Sequence, residues 1–199
     1  MILYGGGGHA KVVFDCLQAL GLKLTGVFDD QAVTGFFEDK YLGKYSEKIF
    51  PNSKIIIAIG NNKTRKLVAQ TVSHIFGKIA HPCAIVSNTS QIGEGCVVFH
   101  QAMVQANVVV GKLCIINTAS IIEHDCVLED FVHIATRATL CGGVHIGEGS
   151  LVGAAATILP GITVGKWCII GAGSVVTKNI PDYCVVAGVP SRFLRLSNE

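Results

Sequence analysis

"VVFHQAMVQANVVVGKLCIINTASIIEHDCVLEDFVHIATRATL", residues 97–140, carries an aliphatic residue at every sixth position, from Val98 through Val104, Val110, Ile116, Ile122, Leu128 and Ile134 to Leu140. The series runs back to Val86 and Ile92 and forward through Ile146, Val152, Ile158, Val164 and Ile170 to Val176, sixteen positions without a slip. With a third of residues aliphatic, chance would give such a run with a probability on the order of 10⁻⁸. An α-helix needs spacings of three and four and a flat strand a spacing of two, so neither explains a strict six. The residue four places after each aliphatic is mostly small or β-branched, and Cys96, Cys114, Cys126 and Cys168 fall there. These cysteines read as small packing residues. Glycine often follows the aliphatic directly, as at Gly93, Gly111, Gly147, Gly153, Gly165 and Gly171.

This pattern resembles the hexapeptide repeat of left-handed parallel β-helices, in which three hexads make one triangular coil and coils stack roughly 4.8 Å apart. The aliphatics then line the interior, and the exposed faces and ends invite association, commonly as trimers.

The first eighty residues lack the hexads. "ILY", "GGGGHAK" and "VVFDCLQAL" read as strand, glycine turn and helix; "LKLTGVFDD" and "SKIIIAIGNN" read as further strands. Asn61 or Asn62 is placed to cap a helix over "KTRKLVAQTVSHI". Alternating strand and helix predicts a small α/β, Rossmann-like domain over residues 1–80, with "GKIAHPCAIV" leading to a β-helix domain over residues 81–199. Gly5, Gly7 and Ala10 fit G-x-G-x-x-A, with Asp29 and Asp30 about twenty residues on, the outline of a dinucleotide fingerprint. The domain is short for a full NAD site and suits one nucleoside diphosphate better. A tight turn without a ligand is the plainer alternative.

Composition narrows the rest. The 199 residues carry a net charge of +2 and only 15% charged residues, with no basic stripe for nucleic acid. No apolar run is long enough for a bilayer, and "MILYGGGGHAK" lacks the marks of an export signal. The expectation is a cytoplasmic protein with neither nucleic acid nor membrane as partner. None of the eight cysteines forms a C-x-x-C pair, so neither disulfides nor a metal centre is expected.

A glycine-loop domain followed by hexapeptide coils resembles the bacterial sugar O- and N-acetyltransferases, including sialic-acid O-acetyltransferases and UDP-4-amino-sugar N-acetyltransferases. The resemblance covers essentially the whole chain and rests on "YGGGGHAKVV", "GVFDD", "AIGNNKTR", "NTASIIEHDC", "FVHIA" and "VVAGVPSRFLR". It implies a general-base histidine at His124 followed by an acid at Asp125, where relatives often carry the longer glutamate. It also implies a histidine near the acetyl group of acetyl-CoA at His133, and a backbone N–H for the acetyl carbonyl at Gly142. The nucleotide of an activated sugar, UDP- or GDP-linked, is assigned to Gly7, Gly8, His9, Lys11, Asp29, Asp30 and Asn61. Coenzyme A is assigned to the C-terminal coils and tail, at Ala155 in "GAAAT", Gly173 in "GAGS", and Gly188 and Arg192 in "AGVPSRFLR", with Arg195 as the other phosphate candidate. The active site is expected between chains of a homotrimer.

Spacing supports part of this independently. Gly142 follows His124 by three hexads, one coil on at the same corner. A histidine titrating near neutrality can take the proton of an attacking amine or hydroxyl, a carboxylate can fix its tautomer, and an N–H can meet the developing oxyanion. The leading expectation is acetyl transfer from acetyl-CoA to the 4-amino group of a nucleotide-linked amino-deoxysugar. Sugar O-acetylation, as of sialic acid, and a non-catalytic nucleotide-sugar-binding protein remain open alternatives. A zinc enzyme on the same β-helix would need three converging histidines, which these spacings do not offer.

Overall fold

The computed structural model describes residues 1–197; residues 198 and 199, the end of the expected second domain, lie outside them. The chain forms a parallel β-solenoid of about six turns behind a small N-terminal α/β region, the architecture that the hexads and the glycine turn imply.

The N-terminal region is built on three parallel strands, β1 (Ile2–Tyr4), β2 (Gly26–Phe28) and β3 (Ile55–Ile57), in the order β2-β1-β3. Side chains alternate across β1: Leu3 joins the core shared with the first helix, while Ile2 and Tyr4 join the core on the opposite side. That first helix, α1 (Gly8–Ala19), buries Ala10, Val13, Cys16 and Leu17 along one face. Gly21, at φ +66°, turns the chain out of it, and the Leu22 N–H returns to the Leu17 carbonyl. The second helix, α2 (Asn62–Ala69), is capped by Asn61, whose side chain accepts from the Thr64 N–H. It stops well short of the expected end at Ile75. Thr71 Oγ1 bonds back to the Val68 carbonyl, and Tyr45 Oη takes the Ser73 N–H, so the backbone beyond Gln70 has other partners.

The solenoid begins at Ile79–Ala80, within the segment read from sequence as a connector. Its first face stacks eight strands, from there to the closing antiparallel pair Cys184–Ala187 and Arg192–Leu196. The second stacks six, from Ile85–Val86 to Val175–Val176, and the third five, from Gln91–Ile92 to Thr163–Val164. Register is fixed at three hexads per coil, as in Ile116 opposite Ile134 and Ile134 opposite Val152. Each hexad aliphatic and the residue two before it point inward, so Cys126 and Leu128, or Val132 and Ile134, are buried together. Cys96, Cys114, Cys126 and Cys168 all lie in this interior as free thiols.

Every corner from Gly95 to Gly173 turns on a residue with positive φ, once per hexad, and most are not glycine: Leu113, Asp125, Phe131 and Trp167 are among them. The α/β region sits on the first face, where Ile79, Val97, Phe99 and Ile115 share a core with α1. On the other side, α2 is pinned to one corner of the solenoid. Asn62 donates to the carbonyls of Gly149 and Ser150, and Arg65 to those of Leu113 and Phe131. Leu113, Phe131 and Gly149 occupy one corner position in three successive coils.

Candidate active site

His124 stands on the corner between the second and third faces, with its side chain 63% exposed. Its Nδ1 lies 2.8 Å from Asp125 Oδ2. The reach of this short carboxylate follows from the corner itself. Asp125 has φ +59°, which folds its side chain back beside its neighbour. Asn107, one coil earlier, donates to the other oxygen at 3.3 Å. The bond to His124 first, and that to Asn107 second, hold the Asp125 carboxyl below its ordinary range. An ionised acceptor at Nδ1 leaves Nε2 as the basic nitrogen of a neutral ring.

Gly142 faces that nitrogen. A Cβ built on it would lie 2.6 Å from His124 Cε1 and 2.7 Å from Nε2. The Gly142 N–H has no backbone or side-chain acceptor among the described residues, as is also true of the N–H groups of Ala106 and His124 in the coils before it on the same edge. A free donor beside a carboxylate-held imidazole, at a position where even one side-chain carbon would crowd the ring, suits an acyl group under attack. Cys141, next in the chain, is half-buried and accepts at its carbonyl from Cys126 Sγ.

A second cluster forms where the glycine turn meets the first face. Gly7 is the N-cap of α1, and no side chain caps this helix. A Cβ on Gly7 or Gly8 would meet nothing within 4 Å, so the first N–H groups of the helix open onto free space. These residues, with Tyr4, His9, Asp29, Asp30 and the 58–60 turn, line a cleft of about 380 Å³. Asp29 accepts from the N–H groups of Gly6 and Gln31, at 2.7 and 2.9 Å. Asp30 accepts from Tyr4 Oη at 3.1 Å, and burial together with that bond pushes the phenol up to about 12. His9 packs edge-on against Phe99, and its buried Nε2 has no partner in the chain. Burial and the charge of Arg65 press the His9 pKa down to about 4. Asn61 does not line this cleft; it faces a separate hollow with Gly149, Trp167 and Ile169, and its carbonyl oxygen is committed to Thr64. Lys11 is exposed one turn into α1, its Nζ 5.6 Å from the Phe36 ring centroid.

His133 belongs to this second cluster, its ring centroid 6.5 Å from that of His9. Its Nε2 lies 3.1 Å from Asn117 Nδ2. The Asn117 oxygen accepts from the Thr118 N–H at 2.8 Å, which fixes the amide nitrogen toward the ring. Asn117 was not among the residues singled out from sequence. Its signal was that it precedes His133 by nearly one coil, which puts it at the corner below.

Ala155 and Gly173 stack one coil apart as exposed corner residues with positive φ, on the edge between the first and second faces. Gly188, at φ +103°, turns the closing hairpin, and Arg192 and Arg195 lie exposed on its last strand. Within one chain, then, His124, Asp125 and Gly142 share one edge, while the glycine cleft, His133, Asn117, Ala155 and Gly173 gather on the first face and its edge. The second face separates the two sets. No group of three His, Cys, Asp or Glu converges as a metal site would among the described residues.

The profile of the PglD N-terminal domain matches residues 1–72, and that of the bacterial transferase hexapeptide (six repeats) matches residues 143–178. The chain is 39% identical over 108 residues to the UDP-N-acetylbacillosamine N-acetyltransferase of Bacillus subtilis, covering 48% of this chain and 49% of that one. It is 30% identical over 157 residues to the GDP-perosamine N-acetyltransferase of Escherichia coli O157:H7, covering 74% and 66%. It thus spans about half to two thirds of the length of these curated relatives. The crystal structure of PerB from Caulobacter crescentus in complex with CoA and GDP-perosamine superposes with a TM-score of 0.92 at 32% identity, over 98% of this chain and 96% of that one.

Proposed function

Because this chain belongs to the nucleotide-amino-sugar N-acetyltransferases with a PglD-type N-terminal domain and a hexapeptide solenoid, we propose that it acetylates the 4-amino group of a nucleotide-linked amino-deoxysugar at the edge that carries His124. The observation that carries the reading is the pairing of His124, held by Asp125 at 2.8 Å, with the side-chain-free and N–H-bearing Gly142 opposite its ring.

Acetyl-CoA supplies the acetyl group as an activated thioester. His124 Nε2 takes the proton that the amine sheds as it attacks the carbonyl, and returns it to the departing sulfur. Asp125 keeps the ring proton on Nδ1 and stabilises the imidazolium while it lasts. The Gly142 N–H meets the negative charge that develops on the carbonyl oxygen. None of these residues needs to form a covalent bond to the substrate.

The nucleotide is assigned to the glycine cleft, where uncapped N–H groups of α1 suit a diphosphate and the buried Nε2 of His9 awaits a partner. Ala155, Gly173, Gly188 and Arg192 are assigned to coenzyme A. The small pair leaves a bare strip along the coil edge, and the arginine offers a phosphate ligand. In this reading the enzyme works in the cytoplasm as a homotrimer. The distance between the base on one edge and the cleft on the first face supports a site shared by neighbouring chains.

The test is thiol release from acetyl-CoA with UDP- and GDP-linked 4-amino sugars, free sialic acid and a buffer blank. Turnover confined to an amino-sugar nucleotide is the expected result, with loss of at least a hundredfold in kcat for a folded His124→Ala. Turnover with sialic acid alone, or a fully active His124→Ala, would remove the proposal.

A further inference from the structure

Tyr4 ends β1 and lines the glycine cleft, yet it is buried. Its ring lies in the core that it shares with Val68 of α2, 5.9 Å from the ring centroid of Tyr45. Tyr45 is itself held at its hydroxyl, which lies 2.8 Å from His74 Nδ1 and accepts from the Ser73 N–H at 2.9 Å. From this braced ring the Tyr4 hydroxyl reaches Asp30, donating to Oδ1 at 3.1 Å. Burial, and then the bond to Asp30, keep the phenol protonated at neutral pH, so the donor is permanent.

Asp29 and Asp30 are neighbours in the chain, but they are engaged differently. Both Asp29 oxygens accept backbone N–H groups, Oδ2 from Gly6 and Oδ1 from Gln31. Its own N–H goes to the Gly43 carbonyl, and its carbonyl accepts from Tyr41 Oη. Asp29 is thus occupied in tying the glycine turn to the chain after β2. Asp30 is exposed, and the Tyr4 hydroxyl is the one group among the described residues that bonds its side chain, which leaves Oδ2 free. The bond also sets a direction. It draws the carboxylate toward the side of the sheet that α2 covers, whereas α1, with its open N–H groups, packs on the other side. A carboxylate and a diphosphate repel, so a cleft that offers a place to both must keep them apart.

We propose that Tyr4 is a positioning residue for the nucleotide: its hydroxyl holds Asp30 by Oδ1, so that Oδ2 stands open to an N–H or O–H donor of the nucleoside and the carboxylate stays clear of the diphosphate at α1. An exposed carboxylate left to rotate must give up that freedom when a ligand binds, and one already held does not. The proposal rests on the assignment of the nucleotide to this cleft.

The test uses the full chain as wild type, Tyr4→Phe, Asp30→Ala and the double variant, each checked for folding by its melting transition. UDP, GDP and their 2′-deoxy forms are titrated into each by calorimetry, and steady-state rates are followed alongside. Tyr4→Phe, which removes a single oxygen, should weaken the preferred nucleotide about fivefold and raise KM for the sugar nucleotide by the same factor, with kcat and KM for acetyl-CoA changed far less. Asp30→Ala should weaken it about tenfold or more. Adding Tyr4→Phe to Asp30→Ala should then cost no more than about twofold, because the phenol has nothing left to hold. A 2′-deoxy penalty present in wild type and absent in Asp30→Ala marks the ribose hydroxyl as the donor, and equal penalties mark a donor elsewhere on the nucleoside. A folded Tyr4→Phe that binds as wild type does would overturn the proposal. So would one that loses the same factor with and without Asp30, or a Tyr4→Phe that fails to fold, since the phenol would then serve the core alone. Wild type that binds neither nucleotide would instead remove the assignment of the cleft.

Discussion

A methyl group at position 142 would fall 2.6 Å from His124 Cε1, whereas one at position 153 would fall 2.5 Å from the Ile170 carbonyl oxygen. The two glycines look alike in sequence, yet they answer to different constraints. Gly153, like Gly93 and Gly147, faces the backbone of the next coil, and a side chain there must push the stack apart. Gly142 faces the free end of an exposed side chain, which can swing aside. Gly142→Ala is therefore expected to fold with a melting temperature near that of wild type while losing tenfold or more in kcat, as the displaced ring leaves its donor. Calorimetry and steady-state rates on one preparation check both halves. The interval of three hexads made the facing of His124 and Gly142 legible in the sequence. It did not reveal Arg65, because the carbonyls that hold it come from residues 113 and 131, far away along the chain and carrying no side-chain signal. Asn117 was missed for a similar reason: its partner sits one coil higher and only the folded register joins them.

Among the elements, the solenoid strands were legible and the end of α2 was not. So short a strand has almost no preference of its own; the repeat supplies it, since each strand is confirmed by its counterparts one coil before and one coil after. The helix had no such second witness. Its periodic pattern continues to Ile75, but Tyr45, far upstream in the chain, takes the amide that another turn would have needed. The corners were also hidden, because nothing in isolation sends leucine, phenylalanine or tryptophan to positive φ; the coil geometry imposes it. The sequence allows Asn61 to be a cap or a nucleotide contact, and its carbonyl oxygen is bound as a cap. Asn61→Ala should lower stability by about 1 kcal/mol in urea unfolding, with faster hydrogen exchange confined to α2. Unchanged exchange in α2 would show that the cap is idle.

At the scale of the whole molecule, the base stands on one edge of the prism and the cleft against its first face, with the second face between them, so no side-chain motion within a chain joins them. A mixture of two inactive chains tests whether neighbours do. His124→Ala lacks the base, and a His9→Ala, His133→Ala double variant lacks the cleft histidines. Unfolded and reassembled together in equal amounts, they should form sites with both parts intact and regain about one quarter of wild-type activity. Mixed assemblies without recovery would place each site within a single chain. The fixed register of three hexads per coil has one more consequence. It makes the solenoid a graduated scale, on which the row of His124 and the closing hairpin stand about three divisions, or about 14 Å, apart. Removing three consecutive hexads between them would shorten that span by one division and leave every side chain facing as before. Removing a single hexad would keep the length of chain nearly the same and rotate everything beyond the cut onto the wrong face. The reach available to an extended ligand is thus set in whole coils, and such a protein can change the length of what it holds only by discrete steps.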